Sequence, residues 1–151
     1  MIIAKVALAI LLVNILLFPA VLGQTILDKK SYKQQELYCL AKNIYFEARG
    51  EPLLGKIAVA QVTINRHMIY KQATVCEVVY QKNQFSWTST KKKILDKKQW
   101  EYSIYIAKAV LEGKLYLKEF KALYFHNINI KPKWSYKKYY LKTIGKHKFY
   151  T

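Results

Sequence analysis

Residues 53–68, LLGKIAVAQVTINRHM, are apolar on nearly every side when they are arranged as a helix. A helix of this kind is stable only when other elements cover it on several sides. The segment therefore predicts a central buried helix, which the rest of the chain has to cover. Pro52 suits the first turn of this helix, because the first helical amides have no partner inside the helix and proline has no amide hydrogen.

Two amphipathic segments can provide that cover. Apolar residues recur at three-to-four spacing between Ser31 and Ala48, which predicts a helix with one buried face. Gln34 completes a capping box with Ser31 at its start, and Gly50 is predicted to end it in the left-handed conformation. A further amphipathic helix is predicted from Asp96 to Glu112, with Gly113 as its stop.

The other segments are shorter. VCEVVYQKNQFSWTS, residues 75–89, predicts one turn of helix and then a hairpin that borders a cleft, and the lysine-rich residues 90–98 predict a solvated loop. Short aromatic, β-prone runs broken by Asn, Pro and Gly follow in residues 120–134 and 143–151. Helices first and small strands later predict an α+β fold, mainly helical, with small strands at the cleft and the C-terminus.

The chain of 151 residues is long enough for one compact domain. An early lysine, an apolar run from Val6 to Phe18 and small residues up to Gly23 are typical of a secretory signal. The run is short for a membrane span, which needs roughly 20 apolar residues, and an uncleaved anchor is the alternative. We predict a signal peptide over residues 1–23, a single domain over residues 24–151, and export to the periplasm, cell envelope or medium.

Export changes the interpretation of the two cysteines, Cys39 and Cys76. In an oxidising compartment they can persist as a disulfide, whereas two buried free thiols are the alternative. On a chain-entropy estimate, closing a loop of this size stabilises the fold by roughly 4 kcal/mol. Because a signal sequence is predicted, the disulfide is favoured.

The formal net charge is +17, and only Lys5 lies in the predicted signal, so the remainder carries +16. Such a charge favours an anionic partner such as an acidic cell-envelope polymer, although a lysine-rich composition can also arise from an AT-rich genome. Export and the absence of a known nucleic-acid motif argue against a nucleic-acid partner. Membrane contact is predicted only through the N-terminal segment, if it stays uncleaved.

The stretch NIYFEARGEP, residues 43–52, holds two acids four residues apart. Glu47 falls in the last turn of the first predicted helix, at the margin of its apolar face. Partial burial and the unpaired carbonyls of a helix end both disfavour a negative charge there, so its pKa should be raised. A carboxyl group that keeps its proton near neutral pH can act as a general acid. Glu51 opens the next helix, where negative charge is favourable, and is predicted to be an electrostatic cap or a support for the site.

The longer stretch around these acids, residues 40–66, resembles the opening signature of the SleB/CwlJ-type cell wall hydrolases, the family of spore cortex-lytic enzymes. Its sequence is LAKNIYFEARGEPLLGKIAVAQVTINR. Further similar blocks follow in order: TVCEVVYQKNQFSW, ALYFHN, KPKW and IGKHKFY. Together they span Leu40 to Tyr150. No peptidoglycan-binding module is recognised before the domain, in contrast to the spore enzymes, and the paired cysteines resemble members from Gram-negative bacteria and their phages.

The resemblance implies a lysozyme-like catalytic domain that cuts peptidoglycan glycan strands next to N-acetylmuramic acid, as a lytic transglycosylase or a muramidase. It also implies that Glu47, the first acid of EARGE, is the catalytic acid. A transglycosylase needs one carboxyl group, whereas a conventional hydrolase needs a second carboxylate roughly 5 to 9.5 Å away. Because acids are scarce, the single-acid reaction is favoured, and Glu77 is assigned to a helix surface.

Other residues are predicted to contact substrate by their chemistry, through hydrogen bonds or by stacking on sugar rings. These residues are Glu51, Gln84, Ser86, Trp87, Tyr124, His126 and Trp134. Alternative assignments are core cover for Trp134 and a structural role for His126. Phe85 is predicted to be core, and Asn65 and Arg66 are predicted to be structural.

The sequence favours this enzyme class over a metal-dependent protein, a Cys/His peptidase and a non-enzymatic binder. The three His and two Cys lack metal-ligand spacing, so neither a metal nor a cofactor is predicted. A Cys/His cell-wall peptidase would use Cys39 as nucleophile and His126 as base, but such a thiolate is best stabilised at a helix N-terminus and Cys39 falls in mid-helix. A non-enzymatic basic binder of anionic polymer is the third possibility.

Overall fold

The structure, a computed structural model, describes residues 28–31, 33–70 and 74–151. The predicted signal peptide lies outside them, and among the described residues no helix is long and apolar enough to cross a membrane. The chain divides into two compact units, Met1–Gln35 and Glu36–Thr151. The described residues of the first unit are helical and exposed. Ser31 therefore lies inside a helical run, and the predicted capping box at that position is wrong.

The second unit is arranged around one central helix, as predicted. Its helices are α1 (residues 36–48, the part of the helical run 33–48 that belongs to this unit), α2 (Leu53–Ile69), α3 (Val75–Tyr80) and α4 (Lys97–Leu111). One apolar cluster joins α2 to the other three helices, and a second joins α2 to the C-terminal sheet. Nine of the 17 residues of α2 are buried, because α2 is covered on both sides.

Helix α1 buries the predicted apolar face, with Leu40, Ala41, Ile44 and Ala48 all at most 1% exposed. Its end differs from the prediction, since Gly50 is not among the residues with positive φ. The amide of Glu51 donates to the carbonyl of Ala48 at 2.9 Å, and the ammonium of Lys56 donates to the carbonyl of Arg49 at 2.8 Å. A buried cation therefore replaces the left-handed glycine as the group that satisfies carbonyls at this helix end.

The segment after α3 does not form the predicted hairpin. Residues 81–84 form a turn in which Asn83 has a φ of 65°, and Ser86–Ser89 form a 3-10 helix. The hydroxyl of Thr88 donates to the carbonyl of Phe85 at 2.7 Å, and that of Thr90 to the carbonyl of Trp87 at 3.0 Å. These local bonds occupy carbonyls that a strand ladder needs, which explains the helical turn.

Helix α4 begins and ends within one residue of the prediction. The carboxylate of Asp96 caps its start by accepting from the amide of Gln99 at 3.0 Å, and Gly113 follows its end with a φ of 69°. The phenol of Tyr45 accepts from the amides of Leu95 and Asp96, at 3.1 and 3.0 Å. Helix α1 is thereby fastened to the start of α4.

The predicted strands form one antiparallel sheet with the order β1-β3-β2. The strands are β1 (Tyr124–Asn127), β2 (Tyr140–Ile144) and β3 (His147–Tyr150), and a second 3-10 helix occupies Lys133–Lys137. Phe125 lies opposite Phe149 in the register and both pack towards α2, whereas Tyr124 lies opposite Tyr150 on the other face. The α+β fold class is confirmed, including the hairpin at the C-terminus.

Candidate active site

Glu47 lies in the last turn of α1 and is half-buried. Burial raises the pKa of its carboxyl group above the ordinary value of 4.5, and the nearby charge of Lys92 opposes this increase. The side chain makes no hydrogen bond or ion pair with any other described residue. An unpaired carboxyl group at a helix C-terminus holds its proton more firmly than one in water, which is the state that a general acid requires.

Arg49, two residues further on, does not neutralise this carboxyl group. Its guanidinium lies over the ring of Tyr45, 5.2 Å from the centroid. A cation over an aromatic ring is attracted by the negative face of that ring. The cation that lowers the pKa of Glu47 is therefore the exposed Lys92 and not Arg49.

Asn43, one helical turn before Glu47, fixes the surroundings of the acid. Its side-chain amide is fully buried, donates to the hydroxyl of Thr63 on α2 at 3.0 Å and accepts from the indole N–H of Trp87 at 3.3 Å. The bonds of this single amide hold α1, α2 and the first 3-10 helix together. Sequence reasoning did not identify Asn43, although a polar residue within an apolar helix face, four residues before an acid, is a usable signal.

Trp87 forms part of the interior against α1. Its ring is 4% exposed and stacks on Phe46 with centroids 4.8 Å apart. Phe85, also 4% exposed, is core as predicted. A buried ring cannot stack on a sugar unless it leaves its position, so the placement of Trp87 argues against its predicted contact with substrate. Ser86 is exposed and Gln84 is half-buried, and their predicted roles stay predictions.

Three other predicted residues meet on the outer face of the sheet. The ring of Trp134 lies 5.8 Å from that of Tyr124 and 5.6 Å from that of His126, and it also contacts the ring of Tyr150. We call these four residues the aromatic layer. No hydrogen bond, ion pair or ring contact among the described residues joins this layer to Glu47.

His126 is occupied by partners within the protein. Its Nδ1 lies 2.8 Å from the carbonyl oxygen of Asn127, which can only accept, so Nδ1 carries the hydrogen. Its Nε2 then accepts from the hydroxyl of Tyr150 at 2.9 Å, and the side chain is 6% exposed. This arrangement is that of a structural histidine, which was the alternative that the sequence left open.

Tyr124 connects the aromatic layer to the end of α2. Its hydroxyl hydrogen-bonds the hydroxyl of Tyr70 at 2.9 Å, and the ammonium of Lys138 lies 4.0 Å from its ring centroid. The bond from Tyr70 and the charge of Lys138 lower the pKa of Tyr124. Sequence reasoning missed Tyr70 and Lys138, because no local pattern places either of them beside β1. Arg66 is structural as predicted, since its Nε donates to the carbonyl of Leu123 at 2.5 Å.

Glu51 is 9% exposed, and its carboxylate is directed towards the sheet. Its Oε2 accepts from the amide of Lys146 at 2.8 Å. Pro52 is the N-cap residue of α2 and no side-chain hydrogen bond caps that helix end, so the predicted electrostatic role of Glu51 stays a prediction. A predicted contact between Glu51 and substrate stays a prediction.

The predicted disulfide is confirmed, since Cys39 on α1 and Cys76 on α3 are bonded, with Cα atoms 5.2 Å apart. No free cysteine is found in the described part of the chain. The bond removes the nucleophile that a Cys/His peptidase needs. Residues 28–31, 33–70 and 74–151 also contain no cluster of three or more His, Cys, Asp or Glu side chains suited to a metal ion.

Comparison with known proteins assigns this chain to a family. The profile of a family described as cell wall hydrolase matches residues 50–150. Spore cortex-lytic enzymes from Bacillus cereus and Oceanobacillus iheyensis are each 31% identical, over 121 and 124 residues. These alignments cover 78% and 80% of this chain but only 45% and 43% of the relatives. The chain thus spans less than half the length of these relatives.

Solved structures agree with this assignment. The catalytic domain of the germination-specific lytic transglycosylase SleB from Bacillus anthracis has a TM-score of 0.65 at 29% identity, covering 80% of this chain and 97% of that one. The catalytic domain of Bacillus cereus SleB has a TM-score of 0.62 at 27% identity, covering 80% and 92%.

The fold and the site together define a lysozyme-like α+β domain with one acid at a helix end. The chain belongs to the cell wall hydrolase family. The resemblance to SleB-type enzymes is thereby confirmed. The family match begins at Gly50, three residues after Glu47, so the role of Glu47 is a matter for proposal.

Proposed function

We propose that this protein is an exported enzyme that cleaves the glycan strand of peptidoglycan next to N-acetylmuramic acid, with Glu47 as its general acid and base. The observation that carries the proposal is the state of the Glu47 carboxyl group. It is half-buried, it lacks a partner among the described residues, and its pKa is raised by burial. Export rests on the sequence of residues 1–23 alone.

In the proposed reaction the protonated carboxyl group of Glu47 gives its proton to the glycosidic oxygen as the bond to C1 of the muramyl residue breaks. The carboxylate that remains then accepts the proton of the C6 hydroxyl of the same sugar, while that oxygen bonds to C1. The products are an anhydro-muramyl end and a free hydroxyl on the other fragment. Glu47 ends the cycle protonated, so one carboxyl group suffices.

The other carboxylates support this single-acid reaction, because structural contacts occupy those nearest in sequence. Glu51 accepts from the amide of Lys146, and Glu36 accepts from the amide of Val75 at 2.6 Å. Glu77 is exposed and forms a capping box on α3. None of the three is a free second carboxylate beside Glu47, which a conventional hydrolase requires. The similar SleB domain from Bacillus anthracis is described as a lytic transglycosylase.

We further propose Tyr124 and Trp134 as contacts for the glycan. Trp134 is 36% exposed and Tyr124 is half-buried, so both present ring surface to solvent. Exposed aromatic faces suit the apolar faces of sugar rings. The net charge of +16 outside the predicted signal would also attract the protein to anionic envelope polymers.

The test uses purified protein without residues 1–23, together with Glu47→Gln and Glu77→Gln variants, incubated with peptidoglycan and analysed by mass spectrometry. Loss of the general acid should lower the rate about 10²- to 10⁴-fold. The Glu77→Gln control removes an exposed acid and should keep activity. Anhydro-muramyl ends are expected, whereas reducing muramyl ends would establish hydrolysis. Equal activity of the wild type and Glu47→Gln would refute the assignment of Glu47.

A further inference from the structure

The carboxylate of Glu51 is held in the turn between β2 and β3. Its Oε2 accepts from the amide of Lys146 at 2.8 Å and lies 3.9 Å from Nδ1 of His147. The second distance is too long for a hydrogen bond, and the buried Nδ1 of His147 has no hydrogen-bond partner in the described part of the chain. Burial lowers the pKa of His147, so this contact is not an ion pair near neutral pH. The bond to Lys146 is therefore the attachment of Glu51 to the sheet.

Two glycines leave room for the Glu51 side chain. A Cβ atom on Gly145 would lie 2.0 Å from its Oε2, and one on Gly55 would lie 2.9 Å from its Cβ. Gly145 also has a φ of 58°, a conformation that residues with a side chain rarely adopt. Gly55 on α2 and Gly145 in the hairpin thus approach the same side chain from two elements. A side chain at either glycine would contact the Glu51 side chain, so the two glycines allow this carboxylate to lie where it does.

The backbone of Glu51 is held from the other side. Its amide donates to the carbonyl of Ala48 at 2.9 Å, and its carbonyl accepts from the ammonium of Lys56. The same ammonium donates to the carbonyl of Arg49, and Lys56 is 4% exposed. The turn of residues 48–51 is thus fixed to α2 through Lys56 and to the sheet through Glu51. Glu47 is the residue immediately before this turn.

We propose that Glu51 is a positioning residue, which ties the end of α1 to the β2–β3 turn and so sets where the Glu47 carboxyl group lies. This proposal rests on the proposed function of Glu47. It replaces the expected contact of Glu51 with substrate, because a carboxylate 9% exposed and bonded to the hairpin is not presented to a glycan strand. A displacement of about 1 Å at a reacting group can cost on the order of 100-fold in rate.

The experiment compares Glu51→Ala and Glu51→Gln with the same substitutions of Glu36. Glu36 is a matched control, because it is also a buried acid that accepts backbone amides, and it lies on α1 eleven residues before Glu47. Two quantities are measured: kcat and KM on solubilised glycan strands, and the titration of the Glu47 carboxyl carbon by ¹³C NMR. The NMR titration does not depend on activity, so it tests the positioning of Glu47 even if the proposed reaction is refuted.

Glu51→Ala should lower kcat on the order of tenfold to 100-fold with little change in KM, and it should shift the titration of Glu47. Glu51→Gln keeps an acceptor for Lys146 and should restore most of kcat, whereas a substrate-binding or second catalytic carboxylate would not be restored by an amide. Both Glu36 variants should lose stability yet leave kcat and the Glu47 titration unchanged.

The proposal is overturned if folded Glu51→Ala matches Glu36→Ala in kcat and in the Glu47 titration. It is also overturned if Glu51→Gln is as impaired as Glu51→Ala. If Glu51→Ala does not fold, Lys56→Met provides the second test, since it frees the same turn from α2. A shifted Glu47 titration in Lys56→Met supports the proposal, and an unchanged one overturns it.

Discussion

Helix α1 carries two acids in opposite situations. Glu36, 8% exposed, accepts from the amides of Val75 and Cys76 at 2.6 and 3.4 Å, and the disulfide from Cys39 reaches α3 in the same region. Glu47 lies eleven residues later, about 16 Å along the helix, and has no partner among the described residues. The same helix thus holds one carboxylate that accepts two backbone amides and one carboxyl group that has no hydrogen-bond partner among the described residues.

This difference separates burial from function. Burial alone does not indicate a catalytic acid, because Glu36 is more buried than Glu47 and caps a neighbouring helix. A carboxylate that accepts backbone amides is stabilised in its charged form. A carboxyl group without donors, in the last turn of a helix, is stabilised in its protonated form. The absence of donors among the described residues is therefore the feature that distinguishes Glu47.

The largest expected effect concerns the stability provided by Glu36. Glu36→Ala leaves the amides at the start of α3 without their acceptor, and each buried donor left unpaired costs about 1–3 kcal/mol. The free energy of unfolding should fall by on the order of 2 kcal/mol, measured by urea denaturation. Glu77→Ala removes an exposed cap from the same helix and should cost less. If both variants lost equal stability, the buried hydrogen bonds from Glu36 to α3 would stabilise the fold no more than the exposed cap does.

The sequence contained enough information for the central helix and for Glu47, but not for Glu36. The continuous apolar character of residues 53–68 predicted the central helix α2, and an acid in a last turn identified Glu47. Glu36 attracted no attention, because its partners Val75 and Cys76 lie about 40 residues away. Whether an acid is satisfied depends on which element packs against it, and one sequence does not show that.

The same limit explains what was missed nearer the site. The hydrogen bond from Lys146 to Glu51 joins residues that are 95 positions apart in the sequence. The buried side-chain amide of Asn43 accepts a hydrogen bond from Trp87, which lies 44 residues later. Both Asn43 and Glu51 lie inside NIYFEARGEP, residues 43–52. Their residue types showed that polar groups lie there, but only the fold showed that each is directed inward.

The second expected effect is a pH-dependent contribution of Glu47 to stability. Because its folded pKa is raised above the ordinary 4.5, its contribution is fully present below that value and is lost as the pH rises through the folded pKa. The unfolding free energy of the wild type relative to Glu47→Gln should therefore decrease across this acid window and then level off. Urea titrations from about pH 4 to about pH 8 measure this difference. An increase with pH instead would mean that donors stabilise the charged form of Glu47.

The smallest expected effect comes from Lys92, whose charge lowers the pKa of Glu47. Lys92→Gln should raise that pKa further, so that the general acid keeps its proton to higher pH and the alkaline limb of kcat moves upward. The shift should be small, because Lys92 is exposed and solvent screens its charge.

The neighbouring exposed Lys93 is the matched control, and Lys93→Gln should leave the pH profile of kcat in place. At about 1 M salt, where the screening length is about 3 Å, the difference between Lys92→Gln and the wild type should largely disappear. Equal upward shifts in both variants would mean that the net charge of the lysine loop, and not Lys92 in particular, acts on Glu47. A downward shift in Lys92→Gln would contradict a direct effect of the Lys92 charge.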